Sequence, residues 1–284
     1  FVVLPAYLSP GDMGPARNEL AMVFPDADEF HDDVDPGRNE RFRGEFGGIV
    51  DFPFGSVELS LLAVHHRLIE LAESLLGTDD LRVYSIEAWA KYTGAASYDQ
   101  PHHRDYLNHS LSVPAPGQPP VQVEMFLYLS DVPAALGAPS YVGLRHTHGL
   151  PALPNWYPRV AGVSDPEHPG WVSGEASPQL YDVEVPATGS AGTVVAYRIE
   201  TFHRGTELAA PRGARFTIHV SFRRADAEWI TRRGWTDAAT SESWNRFVVR
   251  ATPGQLRLFG FPPPGHPHWT PETLDGLGRR YPGI

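Results

Sequence analysis

One stretch limits the fold more than any other: RFTIHVSFRR, residues 215–224, in which Phe216, Ile218, Val220 and Phe222 alternate with Arg215, Thr217, His219 and Ser221. Successive side chains of a strand point to opposite faces. The pattern therefore puts one apolar face on packing and one polar face toward a cavity. LRVYSIEAWAKYTG, VQVEMFLYLSDV, SYVGL, LYDVEVPA and GTVVAYRI also read as strands, and 27 Gly with 28 Pro suit short strands joined by turns.

Around that strand region the chain reads as helical. SPGDMGPARNELAMVFP carries a helix start at Ser9 or Asp12 and a stop at Pro25, and residues 26–48 read as a polar, solvated excursion. SVELSLLAVHHRLIELAESLLG places Leu61, Leu68, Leu71 and Leu75 at helical spacing, with Gly77 as the stop and His65 and His66 as an exposed or hydrogen-bonded pair. The tail from Asp226 is expected to be helical, with SESWNRFVVR and PETLDGLGRRY separated by FPPPGHPHW. Residues 145–180, rich in Pro, Gly and Trp and including Asn155, Trp156, Tyr157 and Trp171, read as a lid or binding loop. With no repeat and no linker, one domain over 1–284 is expected, its β core at about 81–224.

Composition removes whole classes of function. A formal charge of −11 disfavours nucleic-acid and anionic-membrane surfaces, which reward a basic face. The absence of cysteine excludes disulfides, zinc–thiolate sites and thiol nucleophiles. No apolar run reaches the length of a membrane span, and the opening FVVLPAYL lacks a basic n-region and a cleavage site. The expectation is a cytoplasmic protein with a small-molecule partner.

The chemistry concentrates in QPHHRDYLNHS, residues 100–110, where His103 and Asp105 flank Arg104, and in AGTVVAYRIETFHRG, which supplies His203. A histidine, a carboxylate two residues later and a distant second histidine form a set that holds non-haem Fe(II) on three adjacent corners, leaving three positions open. Zn²⁺ or Mn²⁺ in a hydrolase or isomerase would accept the same donors. A His-x-Asp triplet arises about once by chance in a chain of this composition, and His31 with Asp33 is a second instance. That one lies in the acidic EFHDDVDPGRNE and reads as solvated loop, whereas His103 and Asp105 follow a strand. Arg215 opens a strand on its cavity-facing parity, so its planar fork of donors suits a carboxylate; Arg212 lies in an exposed Pro-Arg-Gly turn. Gln100, His102, Tyr106, Asn108 and His109 are candidates for orienting ligands or lining the pocket, and Lys91 and Tyr128 are candidates for co-substrate contact.

With these stretches placed, the sequence resembles the phytanoyl-CoA dioxygenase family of Fe(II)- and 2-oxoglutarate-dependent oxygenases, in its bacterial members. The resemblance rests on QPHHRDYLNHSL, YLSDVPAALGAP, AGTVVAYRIETFHRG, RFTIHVSF and the ending TPGQLRLFGFPPPGHPHWTPET. It implies a mainly β protein with flanking helices, a double-stranded β-helix (jelly roll, cupin-like) whose mouth holds the iron. It implies His103, Asp105 and His203 as iron ligands and Arg215 as the co-substrate anchor. It also implies turnover of 2-oxoglutarate and O2 to succinate and CO2, coupled to oxidation of an unactivated C–H bond. Related halogenases keep the carboxylate position small, so Asp105 points to hydroxylation or desaturation. GLRHT, residues 143–147, departs from the family pattern, and His146 is expected to be structural. A non-catalytic binding protein on the same fold is the remaining alternative.

Overall fold

The computed structural model describes the chain except residues 106–108, 113, 115, 116, 167–169 and 231–233. Its β strands are β1 Val2–Leu4, β2 Ile49–Asp51, β3 Leu81–Tyr92, β4 His102–His103, β5 Gln122–Tyr128, β6 Ser140–Tyr141, β7 Trp156–Tyr157, β8 Val185–Pro186, β9 Val194–Arg198, β10 His203–Arg204 and β11 Ala214–Arg224. They build a 6-stranded sheet in the order β1-β9-β5-β11-β3-β2 and a 5-stranded sheet in the order β7-β4-β10-β6-β8, both with antiparallel ladders. The non-consecutive order within each sheet is that of a jelly roll.

β11 lies at the centre of the larger sheet and follows the alternation in its sequence. Phe216, Ile218, Val220 and Phe222 enter the main core, which also holds Leu59, Leu62, Leu68, Trp244 and Phe247 from flanking helices. Each such side chain removed from water contributes about 1.5–3 kcal/mol before chain entropy is counted. Arg215, Thr217 and His219 face the opposite way, into a cavity. β3 runs beside β11 with Lys91, Trp89, Glu87 and Ser85 opposite Arg215, Thr217, His219 and Ser221. Two-residue periodicity sends that row to the same face.

The helices depart from the sequence reading in three places. The expected single helix over 56–77 is two, Val57–Ala63 and His66–Leu76. His65 breaks it by taking an extended conformation, ψ 139°, and its ring accepts from the Arg67 N–H at 3.4 Å as an N-cap. LYDVEVPA is a strand only at β8. Pro178 opens a short helix, Pro178–Asp182, that buries Leu180 instead. The stretch 26–48 is not simply solvated. A capping box between Asp26 and Glu29 starts the helix Ala27–His31, Phe30 stacks on Tyr92 at 3.9 Å, and Asn39 and Phe42 are buried. Among the described residues, no helix is long and apolar enough to cross a membrane.

Glycine matters where chains touch near the site. Gly137 sits at φ +68°, and a Cβ there would meet the Thr206 carbonyl at 2.6 Å. Gly205, directly after β10, donates its N–H to Gln100 Oε1 at 3.0 Å, and a Cβ would come within 2.9 Å of the Tyr98 carbonyl.

Candidate metal centre

β4 and β10 are only two residues long, but their register sets His103 opposite His203. Each imidazole Nδ1 faces a carbonyl two residues upstream, Pro101 at 2.9 Å and Thr201 at 3.0 Å. With the proton on Nδ1 donated to the carbonyl, each Nε2 lone pair is free and aimed. Both Nε2 atoms converge on Asp105, His103 at 3.7 Å from Oδ1 and His203 at 3.3 Å from Oδ2. One donor atom from each of the three residues lies within 4.8 Å of the others, the sole grouping of this kind among the described residues. Burial, reinforced by His203, pushes His103 down to about 3, so the ring is neutral as a metal donor must be. Burial works against ionising Asp105, yet His203, His109 and His103 hold its carboxyl below the usual range. Two neutral imidazoles and one carboxylate fit a divalent first-row cation with open positions.

The surrounding shell is aromatic. Trp156 on β7 stacks on His103 at 4.1 Å and 13°, and the Tyr197 hydroxyl donates to Asp105 Oδ2 at 3.4 Å. Arg104, between the two motif residues, points away from the centre. Its Nη2 donates to the carbonyls of Pro151, Ala152 and Pro154 at 2.7–2.8 Å, and Asn155 Nδ2 returns a bond to the Arg104 carbonyl. The stretch expected to form a lid is thus tied at its root to the motif strand, and its Trp156 lines the cavity.

That cavity, about 290 Å³, receives side chains from both sheets. At one end stand two cations, Lys91 and Arg215, on paired strands. Both are buried, at 3% and 7% exposure, and among the described residues neither has an ion-pair partner and Arg215 Nη1 has no hydrogen-bond acceptor. Burial and then the Arg215 charge pull the Lys91 ammonium down to about 7. Two desolvated positive groups at the end of a cavity call for an anion.

Other candidates sort differently. Arg212 is exposed and pairs with Asp28 and Asp32, each at 2.9 Å. Tyr128 is buried next to the strand of Arg215, but its hydroxyl donates to the Ala187 carbonyl and its side chain does not line the cavity. Gln100 and His109 line the cavity. His102 instead sits behind β4, its Nε2 2.8 Å from Glu184, which also takes two bonds from Arg204. Tyr106 and Asn108 lie outside the described residues. His146 is exposed on the helix Leu144–Thr147 and accepts from Arg145 Nε at 2.9 Å. His31 contacts the backbone of Gly213 at 3.2 Å, and among the described residues neither it nor Asp33 belongs to a metal-capable group.

Sequence reading named His109 and His219 but missed the carboxylate that joins them. Glu124 on β5 is wholly buried and lies 3.0 Å from His219 Nε2 and 4.0 Å from His109 Nδ1, while Ser221 and Gln122 also donate to it. Burial opposes its charge, but His109 and His219 hold the carboxyl far below the usual range. A charged residue inside the apolar run VQVEMFLY was the available signal.

No protein-family model and no curated protein sequence matches the chain. Solved structures do. The chain is similar to the epimerase SnoN in complex with Fe3+, alpha ketoglutarate and nogalamycin RO, at 22% identity and TM-score 0.53 over 79% of this chain and 78% of that one. It is similar to the non-heme alpha ketoglutarate dependent carbocyclase SnoK from nogalamycin biosynthesis, at 20% identity and TM-score 0.54 over 85% and 86%. HygX from Streptomyces hygroscopicus with nickel, 2-oxoglutarate and hygromycin B bound matches at 16% identity and TM-score 0.53 over 79% and 83%. At these identities the likeness is one of fold: the chain is a jelly roll with flanking helices, of the kind those enzymes share.

Proposed function

We propose that this protein is an Fe(II)- and 2-oxoglutarate-dependent oxygenase that oxidises a C–H bond of a small molecule, by hydroxylation or desaturation. The observation that carries the reading is one cavity lined from the smaller sheet by the His103–Asp105–His203 grouping and from the larger sheet by Lys91 and Arg215, cations with no ion-pair partner among the described residues. A dicarboxylate spans those two features, one end at the metal and the other on the guanidinium. The bound iron would supply the oxygen-dependent oxidation that yields succinate and CO2. The chain's own residues do the rest. His103, Asp105 and His203 hold the metal, Tyr197 steadies the carboxylate, Arg215 and Lys91 anchor the distal carboxylate, and Trp156 with Trp89 and Phe126 keep water from the reacting face. The epimerase and carbocyclase among its structural neighbours support this class, as does the resemblance to the phytanoyl-CoA dioxygenase family. A zinc or manganese hydrolase would leave the buried Lys91–Arg215 pair without a purpose.

The test is succinate formation from 2-oxoglutarate by protein loaded with Fe(II), Zn²⁺ or no metal. The reading expects turnover with Fe(II) and O2 alone. Hydrolytic activity with Zn²⁺ and no succinate under any condition would replace it.

A further inference from the structure

Three neighbouring strands of the large sheet turn a row of polar side chains to one face. β9, β5 and β11 lie side by side, and their register sets Tyr197 opposite Glu124 and Glu124 opposite Ser221. Two-residue periodicity turns His219 on β11 and Gln122 on β5 to that same face. The contacts then form a line. Glu124 accepts from Ser221 Oγ, from Gln122 Nε2 and from His219 Nε2, the last at 3.0 Å. His219 Nε2 lies 3.4 Å from the Tyr197 hydroxyl, which lies 3.4 Å from Asp105 Oδ2. All four residues along the line are buried.

The line fixes the direction of its protons. A tyrosine hydroxyl has one proton to donate. Among the described residues, the Tyr197 hydroxyl has two acceptors within reach, Asp105 Oδ2 and His219 Nε2. An imidazole nitrogen accepts only when it carries no proton. Glu124, an ionised carboxylate, offers acceptors alone, so the His219 proton that faces it sits on Nε2. That holds whether the ring is neutral or charged. Nε2 then has no lone pair for Tyr197, and the hydroxyl proton is left to Asp105.

We infer that Glu124 is a positioning residue for the metal centre. By holding His219 in its Nε2–H form, it commits the Tyr197 hydroxyl to Asp105 Oδ2 and so restrains the metal-ligating carboxylate. This rests on the reading of His103, Asp105 and His203 as a metal centre, and not on which metal or co-substrate they serve. A carboxylate taken out of water is costly unless several donors meet it, and an apolar side chain would fill the same rung of the sheet. Glu124 does not line the cavity, so contact with a ligand does not account for it. His219 and Tyr197 do line the cavity, and through them its influence reaches the centre.

The experiment measures Co(II) dissociation constants by titration calorimetry on metal-free protein. The wild type is compared with Tyr197→Phe, Glu124→Met, Glu124→Gln and the double variant Glu124→Met/Tyr197→Phe. Groups that hydrogen-bond a metal ligand typically set metal affinity by about ten- to hundredfold, so Tyr197→Phe and Glu124→Met should each weaken Co(II) about tenfold or more. Without Glu124 the His219 proton is free to move to Nδ1, and Nε2 then competes for the Tyr197 proton. The double variant should stay within about twofold of the weaker single variant, whereas independent effects would multiply to about a hundredfold. Glu124→Gln should recover most of the loss. Its amide oxygen still accepts from His219, and its NH2 meets Gln122 Oε1, an atom with no hydrogen-bond partner among the described residues. Losses that multiply in the double variant overturn the proposal, since a general weakening of the fold would act equally with or without the Tyr197 hydroxyl. So does Glu124→Gln binding as weakly as Glu124→Met, or Co(II) binding indifferent to either single change. Should Glu124→Met fail to fold, the wild type decides: spectra of 15N-labelled histidine should show His219 protonated at Nε2, and a proton-free Nε2 overturns the proposal. A wild type that binds no Co(II) is a separate result, and it removes the metal-centre reading itself.

Discussion

Removing Arg215 tests the anion end sharply because a second cation stands beside it. Arg215 is 7% exposed, with Nη1 unpartnered among the described residues. Truncating one member of a buried charge pair costs about 2–5 kcal/mol, or roughly 30-fold to several thousandfold in affinity. Lys91 should hold the loss near the lower figure. In the intact protein burial and then the Arg215 charge drive the Lys91 ammonium down to about 7. With the guanidinium gone, that repulsion goes too, and Lys91 keeps its proton and takes over part of the carboxylate. Arg215→Ala should therefore raise the 2-oxoglutarate dissociation constant about 30- to 100-fold and Lys91→Met about tenfold. The double variant should lose more than the product of the two, since coupled neighbours depart from additivity by about 0.5–3 kcal/mol. Arg215→Lys should recover little, because an ammonium keeps the charge but not two parallel bonds. Arg212→Ala should change nothing, its side chain being 44% exposed and held by Asp28 and Asp32. The assay is anaerobic titration of the iron-loaded protein, following the visible absorption of the iron–2-oxoglutarate chelate. A larger effect from Arg212→Ala than from Arg215→Ala, or a double variant no worse than Arg215→Ala, would refute the reasoning.

Three further outcomes follow from the same geometry. His103→Ala, Asp105→Ala and His203→Ala should each abolish stoichiometric iron binding while Asp33→Ala retains it, as metal analysis of the purified variants will show. Co-substrate affinity should be pH-dependent through Lys91. The charged form binds the anion, so affinity is full below about pH 7 and falls as pH rises through that value, by up to about tenfold per unit, and Lys91→Met should flatten the profile. Arg104→Ala removes the donor to three loop carbonyls, so cleavage within residues 150–163 should speed up about tenfold or more in limited proteolysis, and Trp156 should lose its seat on His103.

Much of this was legible in the chain because strand parity is a two-state code. Once Phe216 and Ile218 are assigned to the core, Arg215, Thr217 and His219 have only the cavity left, and the structure places them there. The pairing of β4 with β10 was legible only as chemistry: two-residue strands carry no periodicity, and the His-x-Asp spacing had to stand in for it. Local signals failed where tertiary context took over. His65 reads as one more helical residue until its ring caps the next helix, and Leu180 reads as strand until Pro178 commits it to a helical turn. Glu124 was missed for a related reason. A buried carboxylate is tolerated because Gln122, two residues back on its own strand, is joined by His219 and Ser221 from β11, which sequence spacing does not reveal as neighbours. The grip of Arg104 on Pro151, Ala152 and Pro154 was equally silent, since backbone carbonyls leave no mark in a sequence.

The most direct test of the central claim is anaerobic addition of 2-oxoglutarate to protein carrying one Fe(II) per chain. If His103, Asp105 and His203 hold the metal on one face and Arg215 holds the far carboxylate, a visible charge-transfer band should grow to one 2-oxoglutarate per iron. The band should be absent from His203→Ala and should need far higher co-substrate in Arg215→Ala. A chain that binds iron at this centre yet develops no such band, at any 2-oxoglutarate concentration, contradicts the account.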